Sequence, residues 1–157
     1  MSDRIYRPKN AEAFDTMLEG VCLLYGNCPG LQAAAIVYGS VAYAFYSGDQ
    51  DIIIGDIDFI VPSEWFPKIE KAISNTTQFI IEPSPASLRV FYLGNKLSFH
   101  DIKNLKLKKE SLIKGLINDT PLLFMSRADL ISCYEQSLTS GKTEKKQEYL
   151  RKISGLK

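Results

Sequence analysis

The chain has 157 residues, of which 45% are hydrophobic and 24% are charged, and its formal net charge is +1. This length and composition are those of one globular domain, and the nearly balanced charge excludes a strong basic field for nucleic acid or anionic membranes. The three cysteines lack metal-ligand spacing, which predicts reduced thiols in a cytoplasmic protein. We find neither a secretory signal pattern nor an apolar run of membrane-spanning length, so we expect no membrane partner.

Hydrophobic periodicity and turn residues predict alternating helices and strands, which indicates an α/β (α+β) domain with a mixed sheet flanked by helices. We predict a single domain over residues 1–157, with a core over about 10–105 and a C-terminal helical part over about 106–157. In the first half of the chain, the sequence pattern predicts a tail over 1–9 and a helix over 11–25 that Asn10 caps. A strand over 33–38, a short helix over 41–46 and a strand over 55–61 follow.

The second half predicts a helix over 64–75 capped by Ser63, a strand over 77–82, a break at 83–85, and a hairpin of strands 88–93 and 97–102. It ends with a helical segment over 111–117, a short apolar run over 122–125, a helix over 127–138 capped by Ser126, and a final amphipathic helix.

Two short motifs frame the helix predicted over 41–46. Gly39 and Ser40 follow the apolar strand before it, and Asp56 and Asp58 open the strand after it. A helix that begins just after Gly39 and Ser40 directs free backbone N–H groups toward an anion. Glycine lets the backbone approach a phosphate closely, and the serine hydroxyl can donate a hydrogen bond to it. The first motif therefore predicts a phosphate-binding turn.

Asp56 and Asp58 are two residues apart on a strand, so their carboxylates point to the same face. Ile57, Phe59 and Val61 alternate with them as a buried face should. Two carboxylates form a hard oxygen site that suits Mg²⁺, and two such ions can stabilise the attacking and leaving oxygens of a nucleotidyl transfer. We therefore predict a metal site beside a nucleoside triphosphate. The alternative is a strand-capping glycine and a solvated pair of aspartates.

The segments Val37-Tyr38-Gly39-Ser40 and Gly55-Asp56-Ile57-Asp58-Phe59-Ile60-Val61 resemble the nucleotidyltransferase superfamily, which shares a DNA polymerase β-like core. The most similar members are small ones: lincosamide-type enzymes, minimal nucleotidyltransferase antitoxins and abortive-infection toxins. The resemblance implies a nucleotidyltransferase-like domain that transfers a nucleoside monophosphate from a nucleoside triphosphate to an acceptor hydroxyl, with two Mg²⁺ ions. It implies that Gly39 and Ser40 bind nucleotide, and that Asp56 and Asp58 are catalytic and bind metal.

The superfamily usually adds a third acidic residue from a later strand, and this sequence departs from that pattern. On the strand over 97–102, Leu97 and Phe99 should face the helices, so Ser98 and His100 come nearest the acid pair if the two strands are neighbours. Asp101 would reach the acid pair only from a strand end or through a bulge. The further catalytic group is therefore His100, a residue type that often acts as a general base, or Asp101, or neither.

The C-terminal pattern also departs from the resemblance. Toxin-type relatives carry a Leu-Ile-x-x-Lys pattern, and this chain has Tyr134 where that lysine would stand. Lys142 could reach a phosphate or lie solvated in a turn. These departures favour an alternative function: a catalytically degenerate protein that acts by binding a protein partner, for example in a toxin–antitoxin system.

Five lysines accompany one glutamate between Lys103 and Lys114. They form either a solvated helix face or a surface for an anionic acceptor such as RNA. The acceptor hydroxyl stays open at this point, and an antibiotic, another small molecule, an RNA or a protein side chain would each fit the pattern.

Overall fold

A computed structural model of the protein describes residues 2–104, 112–140 and 143–157. Within these ranges the strands are β1 (Ser2–Arg4), β2 (Ile36–Tyr38), β3 (Asp56–Val61), β4 (Phe79–Ser84), β5 (Ser87–Tyr92), β6 (Asn95–Asp101), β7 (Ile113–Ile117) and β8 (Thr120–Phe124). The helices are α1 (Ala11–Asn27), α2 (Leu31–Ala34), α3 (Gly39–Ser47), α4 (Trp65–Ile73), α5 (Arg127–Thr139) and α6 (Lys146–Leu156). None of the helices in the described ranges has the length and apolar character needed to cross a bilayer.

The strands form one mixed sheet in the order β1-β7-β8-β2-β3-β6-β5-β4. Three neighbouring pairs run parallel, namely β1 with β7, β8 with β2, and β3 with β6, and the remaining pairs are antiparallel. Strand β3 lies in the interior of the sheet between β2 and β6. The predicted α+β fold with a mixed sheet and flanking helices is therefore confirmed.

The two faces of β3 differ in character because side chains alternate along a strand. Ile57 and Phe59 are fully buried on the face covered by α1, where Phe59 stacks on Phe99 of β6 with ring centroids 4.8 Å apart. Asp56 and Asp58 lie on the opposite face, on the side of α3, α5 and α6. This parity gives the sheet one apolar face and one face that carries the acid pair.

Most of the predicted elements are present with small shifts of their ends. The hairpin β5–β6 turns at Leu93 and Gly94, which have positive φ angles of 47° and 82° and fit a two-residue turn. The Ser126 hydroxyl caps α5 as predicted, since it accepts a hydrogen bond of 3.1 Å from the backbone N–H of Asp129.

The predicted N-terminal tail is wrong, because β1 pairs in parallel with β7 at the edge of the sheet. The side chain of Asn118 accepts a hydrogen bond of 2.7 Å from the backbone N–H of Tyr6 and donates one of 2.8 Å to its carbonyl. Tyr6 itself is buried. These partners are 112 residues apart, so no local pattern in the first residues could reveal the strand.

The predicted helical segment over 111–117 is also wrong where the structure describes it, since Ile113–Ile117 form β7. A turn at Asn118 and Asp119, with φ angles of 46° and 66°, joins β7 to β8. Such an Asn-Asp turn is a hairpin signal that the prediction overlooked. The C-terminal part over 106–157 therefore contains a hairpin as well as helices, while Lys106, Lys108 and Lys109 of the basic segment lie outside the described residues.

Four smaller predictions need correction. The strand predicted over 33–38 is shorter, because Leu31–Ala34 form α2 and β2 starts at Ile36. The break predicted at 83–85 is a tight turn at Pro85 and Ala86, because β4 continues through Ser84. Pro83 lies within this strand, which is at the edge of the sheet, where proline is tolerated. Asn10 holds the N-cap position of α1 as predicted, but its side chain binds the backbone of Ile54 and makes no capping hydrogen bond. Ser63 does not cap α4, because Glu64 takes the cap position.

Candidate functional site

The site begins where β2 ends and α3 starts. Gly39 has a φ of +66°, and a Cβ built on it would lie 2.9 Å from Oδ2 of Asp58. Only glycine adopts this left-handed conformation readily, and only a residue without a side chain leaves room for the carboxylate. The turn therefore brings the backbone of α3's first residues directly beside the acid pair, as the phosphate-binding interpretation requires.

Asp56 and Asp58 open β3, and Asp58 is opposite Tyr38 in the register with β2. Their side chains are 25% and 23% exposed. Together with Gly39 and Ser40 they line a cavity of about 260 Å³. The four residues that the sequence predicted for nucleotide and metal binding thus share one cavity, whose opposite wall comes from α5 and α6.

The acid pair lies in a partly buried setting that disfavours the ionised form of Asp56. Burial, followed by the charge of Asp58, raises the pKa of Asp56 above its ordinary value. Lys96 at 3.5 Å and the Ser98 hydroxyl at 3.1 Å from Oδ2 of Asp56 oppose this rise without cancelling it. A divalent cation would relieve the repulsion between the two carboxylates, and hard carboxylate oxygens are the ligands that Mg²⁺ prefers.

The protein supplies this candidate metal site with two acids. In the described ranges, no group of three or more His, Cys, Asp or Glu side chains is arranged to hold a metal ion. The donor set of Asp56 and Asp58 nevertheless fits Mg²⁺, which usually takes one or two carboxylates together with phosphate oxygens and water.

Strand β6 runs parallel to β3 and places Ser98 opposite Asp58 and His100 opposite Ile60. Nε2 of His100 lies 3.5 Å from Oδ1 of Asp58. Asp101 is opposite Val61 on the other face, where its carboxylate accepts a hydrogen bond of 3.1 Å from the backbone N–H of Lys103. The structure therefore brings His100 to the acid pair and leaves Asp101 away from it. Ser98 lies opposite Asp58 on the same face of the sheet, which is the position where a third acid would contact the pair.

Lys152 of α6 completes the site, and our sequence analysis missed it. Its side chain is only 7% exposed. Its ammonium donates a hydrogen bond of 2.9 Å to the Ser40 hydroxyl and lies 3.1 Å from a Glu148 carboxylate oxygen. The signal that could have revealed it is a lysine among Tyr149, Ile153 and Leu156, on the apolar face of a helix. Lys142, the lysine that the sequence suggested instead, lies outside the described residues.

Contacts with α3 fix the position of α6. The Arg151 guanidinium lies 2.5 Å from the Asp49 carboxylate just after α3, and the same carboxylate accepts a hydrogen bond of 3.0 Å from the Tyr43 hydroxyl. The ammonium of Lys152 also lies above the rings of Tyr43 and Tyr134, 5.7 Å and 5.5 Å from their centroids. The helix is therefore held so that its buried lysine faces the Gly39-Ser40 turn.

No protein-family model matches the sequence, and no curated protein matches it. Solved structures do match the fold. The complex of ANT(2'')-Ia with adenylyl-2''-tobramycin has a TM-score of 0.65 at 12% identity, over 90% of this chain and 87% of that chain. The lincosamide antibiotic adenylyltransferase LnuA, solved with lincomycin bound, has a TM-score of 0.61 at 13% identity, over 91% of this chain and 98% of that chain.

A third similar structure is an antigenic nucleotidyltransferase-like protein from Paracoccidioides brasiliensis, with a TM-score of 0.62 at 14% identity over 90% of this chain and 75% of that chain. These identities are low, so the likeness is one of fold. The fold that the chain shares with all three is that of the nucleotidyltransferases.

Proposed function

We propose that this protein with a nucleotidyltransferase fold transfers a nucleoside monophosphate from a nucleoside triphosphate to an acceptor hydroxyl, with Mg²⁺ held by Asp56 and Asp58. The observation that carries the proposal is the shared cavity of about 260 Å³, where the Gly39-Ser40 turn meets both aspartates and Lys152. A phosphate-binding turn, an acid pair and a buried cation in one cavity match the charges of a metal-bound triphosphate.

The triphosphate would bind at the N-terminal end of α3. The Ser40 hydroxyl and the Lys152 ammonium, 2.9 Å apart, would both donate to phosphate oxygens. The backbone N–H groups of the first turn of α3 and the helix dipole add to this attraction. These donors are already in place before the nucleotide arrives, so little reorganisation would accompany binding.

Asp56 and Asp58 would hold Mg²⁺ through their carboxylate oxygens. When bound, Mg²⁺ would neutralise phosphate charge and favour the ionised form of a nearby hydroxyl. The use of two ions, which the resemblance implies, stays a prediction.

The acceptor hydroxyl would attack the α-phosphorus, so that one P–O bond forms as the bond to the β-phosphate oxygen breaks and pyrophosphate leaves. His100, 3.5 Å from Asp58, would take the hydroxyl proton. Asp58, beside the ring, would hold the imidazole in place. The remaining contribution of the protein is positioning and charge stabilisation.

A second function, nucleotide binding without transfer and with a protein partner, is favoured by one specific observation. Ser98 faces the acid pair at the place where strand parity would put a third acid, and its hydroxyl only donates a hydrogen bond to Asp56. A site with two carboxylates could hold a magnesium-bound triphosphate and yet fail to activate a hydroxyl.

Two measurements separate these functions. Calorimetry with each of the four ribonucleoside triphosphates and Mg²⁺ tests binding, and α-labelled triphosphates tested with aminoglycosides, lincosamides, RNA and the protein itself reveal transfer. We expect binding and transfer by the wild type, and loss of both in a D56N/D58N double variant. The matched control is D51N, because Asp51 is exposed in the loop before β3 and does not line the cavity.

Binding without labelled product, together with co-purification of a stoichiometric partner, would support the second function. Unchanged triphosphate binding in the double variant would exclude the site altogether.

A further inference from the structure

Two tyrosine hydroxyls, those of Tyr25 and Tyr134, are buried and have no hydrogen-bond partner among the described residues. A buried hydroxyl without a partner destabilises a fold, because it gives up hydrogen bonds to water and gains none. Such groups are rare in folded proteins and call for an explanation. The surroundings of the two hydroxyls differ, and that difference suggests why one of them is kept.

Tyr134 lines the cavity that contains Ser40, Asp58 and Lys152. Its side chain is nine-tenths buried, at 6% exposure for the residue, and its ring lies 5.5 Å from the ammonium of Lys152. Tyr25, by contrast, packs from α1 against Phe59 on the other face of the sheet and lies outside this cavity.

We propose that the Tyr134 hydroxyl donates a hydrogen bond to a β- or γ-phosphate oxygen of the bound triphosphate, so that the nucleotide supplies the partner that the free protein lacks. The proposal rests on the proposed nucleotide site. It assigns the β- and γ-phosphates to the part of the cavity where Ser40, Lys152 and Tyr134 meet. In the proposed function the α-phosphate lies at the Mg²⁺ held by Asp56 and Asp58.

The chemistry of the phenol suits this role. Burial, followed by the charges of Glu148 and Asp58, raises the pKa of Tyr134, so the hydroxyl keeps its proton at physiological pH and can donate to an anion. A neutral donor there adds no further positive charge beside the ammonium of Lys152, which lies over the ring of Tyr134. The phenol can therefore bind phosphate without the repulsion that a second lysine would bring.

The test is a pair of single-atom deletions, Y134F and Y25F. Each variant removes one buried hydroxyl that has no partner among the described residues, so neither should lower the free energy of unfolding, and both should keep the wild-type circular dichroism spectrum. For the nucleoside triphosphate that the wild type binds best, calorimetry with Mg²⁺ should show roughly tenfold weaker binding in Y134F, as expected for one lost hydrogen bond to a charged group. Y25F should bind as the wild type does.

A second measurement separates a phosphate contact from a general effect on the cavity. The corresponding nucleoside monophosphate lacks the β- and γ-phosphates, so its affinity should be the same in Y134F and the wild type, and inorganic tripolyphosphate should lose affinity as the triphosphate does. Equal triphosphate binding by Y134F and the wild type, or an equal loss for mono- and triphosphate, would overturn the proposal. No triphosphate binding by the wild type would overturn both this proposal and the proposed function.

Discussion

The two walls of the cavity are built in different ways. The strand wall, formed by Gly39, Ser40, Asp56 and Asp58, comes from 20 consecutive residues and bears two carboxylates without a lysine. The helix wall, formed by Tyr134 of α5 and Glu148 and Lys152 of α6, comes from the C-terminal part of the chain. The hydrogen bond that joins the walls, from Lys152 to Ser40, spans 112 residues.

The comparison teaches that the acid pair and the buried ammonium of Lys152 depend on different parts of the sequence. The acid pair needs only one strand and the turn beside it, so a short motif specifies it. The ammonium of Lys152 lies beside this turn only because α6 packs against α3 and α5. Variants of the two walls should therefore fail in different ways.

The largest effect is expected from K152M on the helix wall. Methionine keeps an unbranched apolar side chain but removes the charged donor, so triphosphate affinity should fall about 10- to 100-fold. The free energy of unfolding should change by less than about 1 kcal/mol, because the Glu148 carboxylate that loses its partner is 50% exposed and stays solvated. Calorimetry and urea denaturation measure the two quantities. K146M, at an exposed position of the same helix, is the control and should change neither.

On the strand wall, G39A should lower the free energy of unfolding by about 1–3 kcal/mol, because alanine at φ +66° is strained and its Cβ would meet the Asp58 carboxylate. Urea denaturation measures this loss. In the control G26A, the new Cβ would meet no atom within 4 Å inside α1, so stability should be equal or up to about 1 kcal/mol higher. Equal stability losses in the two variants would contradict the close approach of the turn to Asp58.

S98D tests whether a third carboxylate beside Asp56 and Asp58 would strengthen Mg²⁺ binding. In EDTA, a third carboxylate beside Asp56 should lower the free energy of unfolding by about 1 kcal/mol through repulsion of like charges. Added Mg²⁺ should reverse this loss of stability, because the ion binds the folded state only. S98N has nearly the same shape and no charge, so its stability should not depend on Mg²⁺ in this way. Thermal unfolding with and without the ion measures both variants.

The smallest effect is a pH dependence of stability. The pKa of Asp56 is raised by burial and then by Asp58, so the folded protein holds this proton at pH values where the unfolded chain has lost it. Stability should therefore fall as pH rises from the ordinary value of 3.8 through the raised pKa. Urea denaturation in EDTA should show this fall in the wild type. In D56N the part of the fall that comes from the titration of Asp56 should be absent. A steeper fall in D56N than in the wild type would contradict the assigned direction.

The strand wall could be predicted from the sequence because its residues are close along the chain. The period of two in β3 placed Asp56 and Asp58 together, and the same rule on β6 placed His100 near them and Asp101 away. The helix wall could not be predicted, because the pairing of α6 with α3 depends on contacts such as that of Arg151 with Asp49. The catalytic roles of all these residues stay predictions.

The fold was predictable where periodicity and turn residues agreed, as in the β5–β6 hairpin and α5. It was not predictable where a strand depends on a distant partner. Strand β1 has three residues and exists through its pairing with β7. The apolar residues of β7 fit the helical period as well as the strand period, so its sequence alone does not distinguish the two. Short apolar runs are ambiguous in this way until a neighbouring strand is known.

Pro83 in β4 has a consequence for how molecules of this protein meet one another. Strand β4 is the outermost strand of the sheet, and its Ile80 is 64% exposed, which would make it an attractive template for a strand of a second molecule. The prolyl nitrogen carries no hydrogen, so an incoming strand cannot complete its ladder along this border. A single imino acid thus makes the β4 border of the sheet a poorer template for uncontrolled self-association.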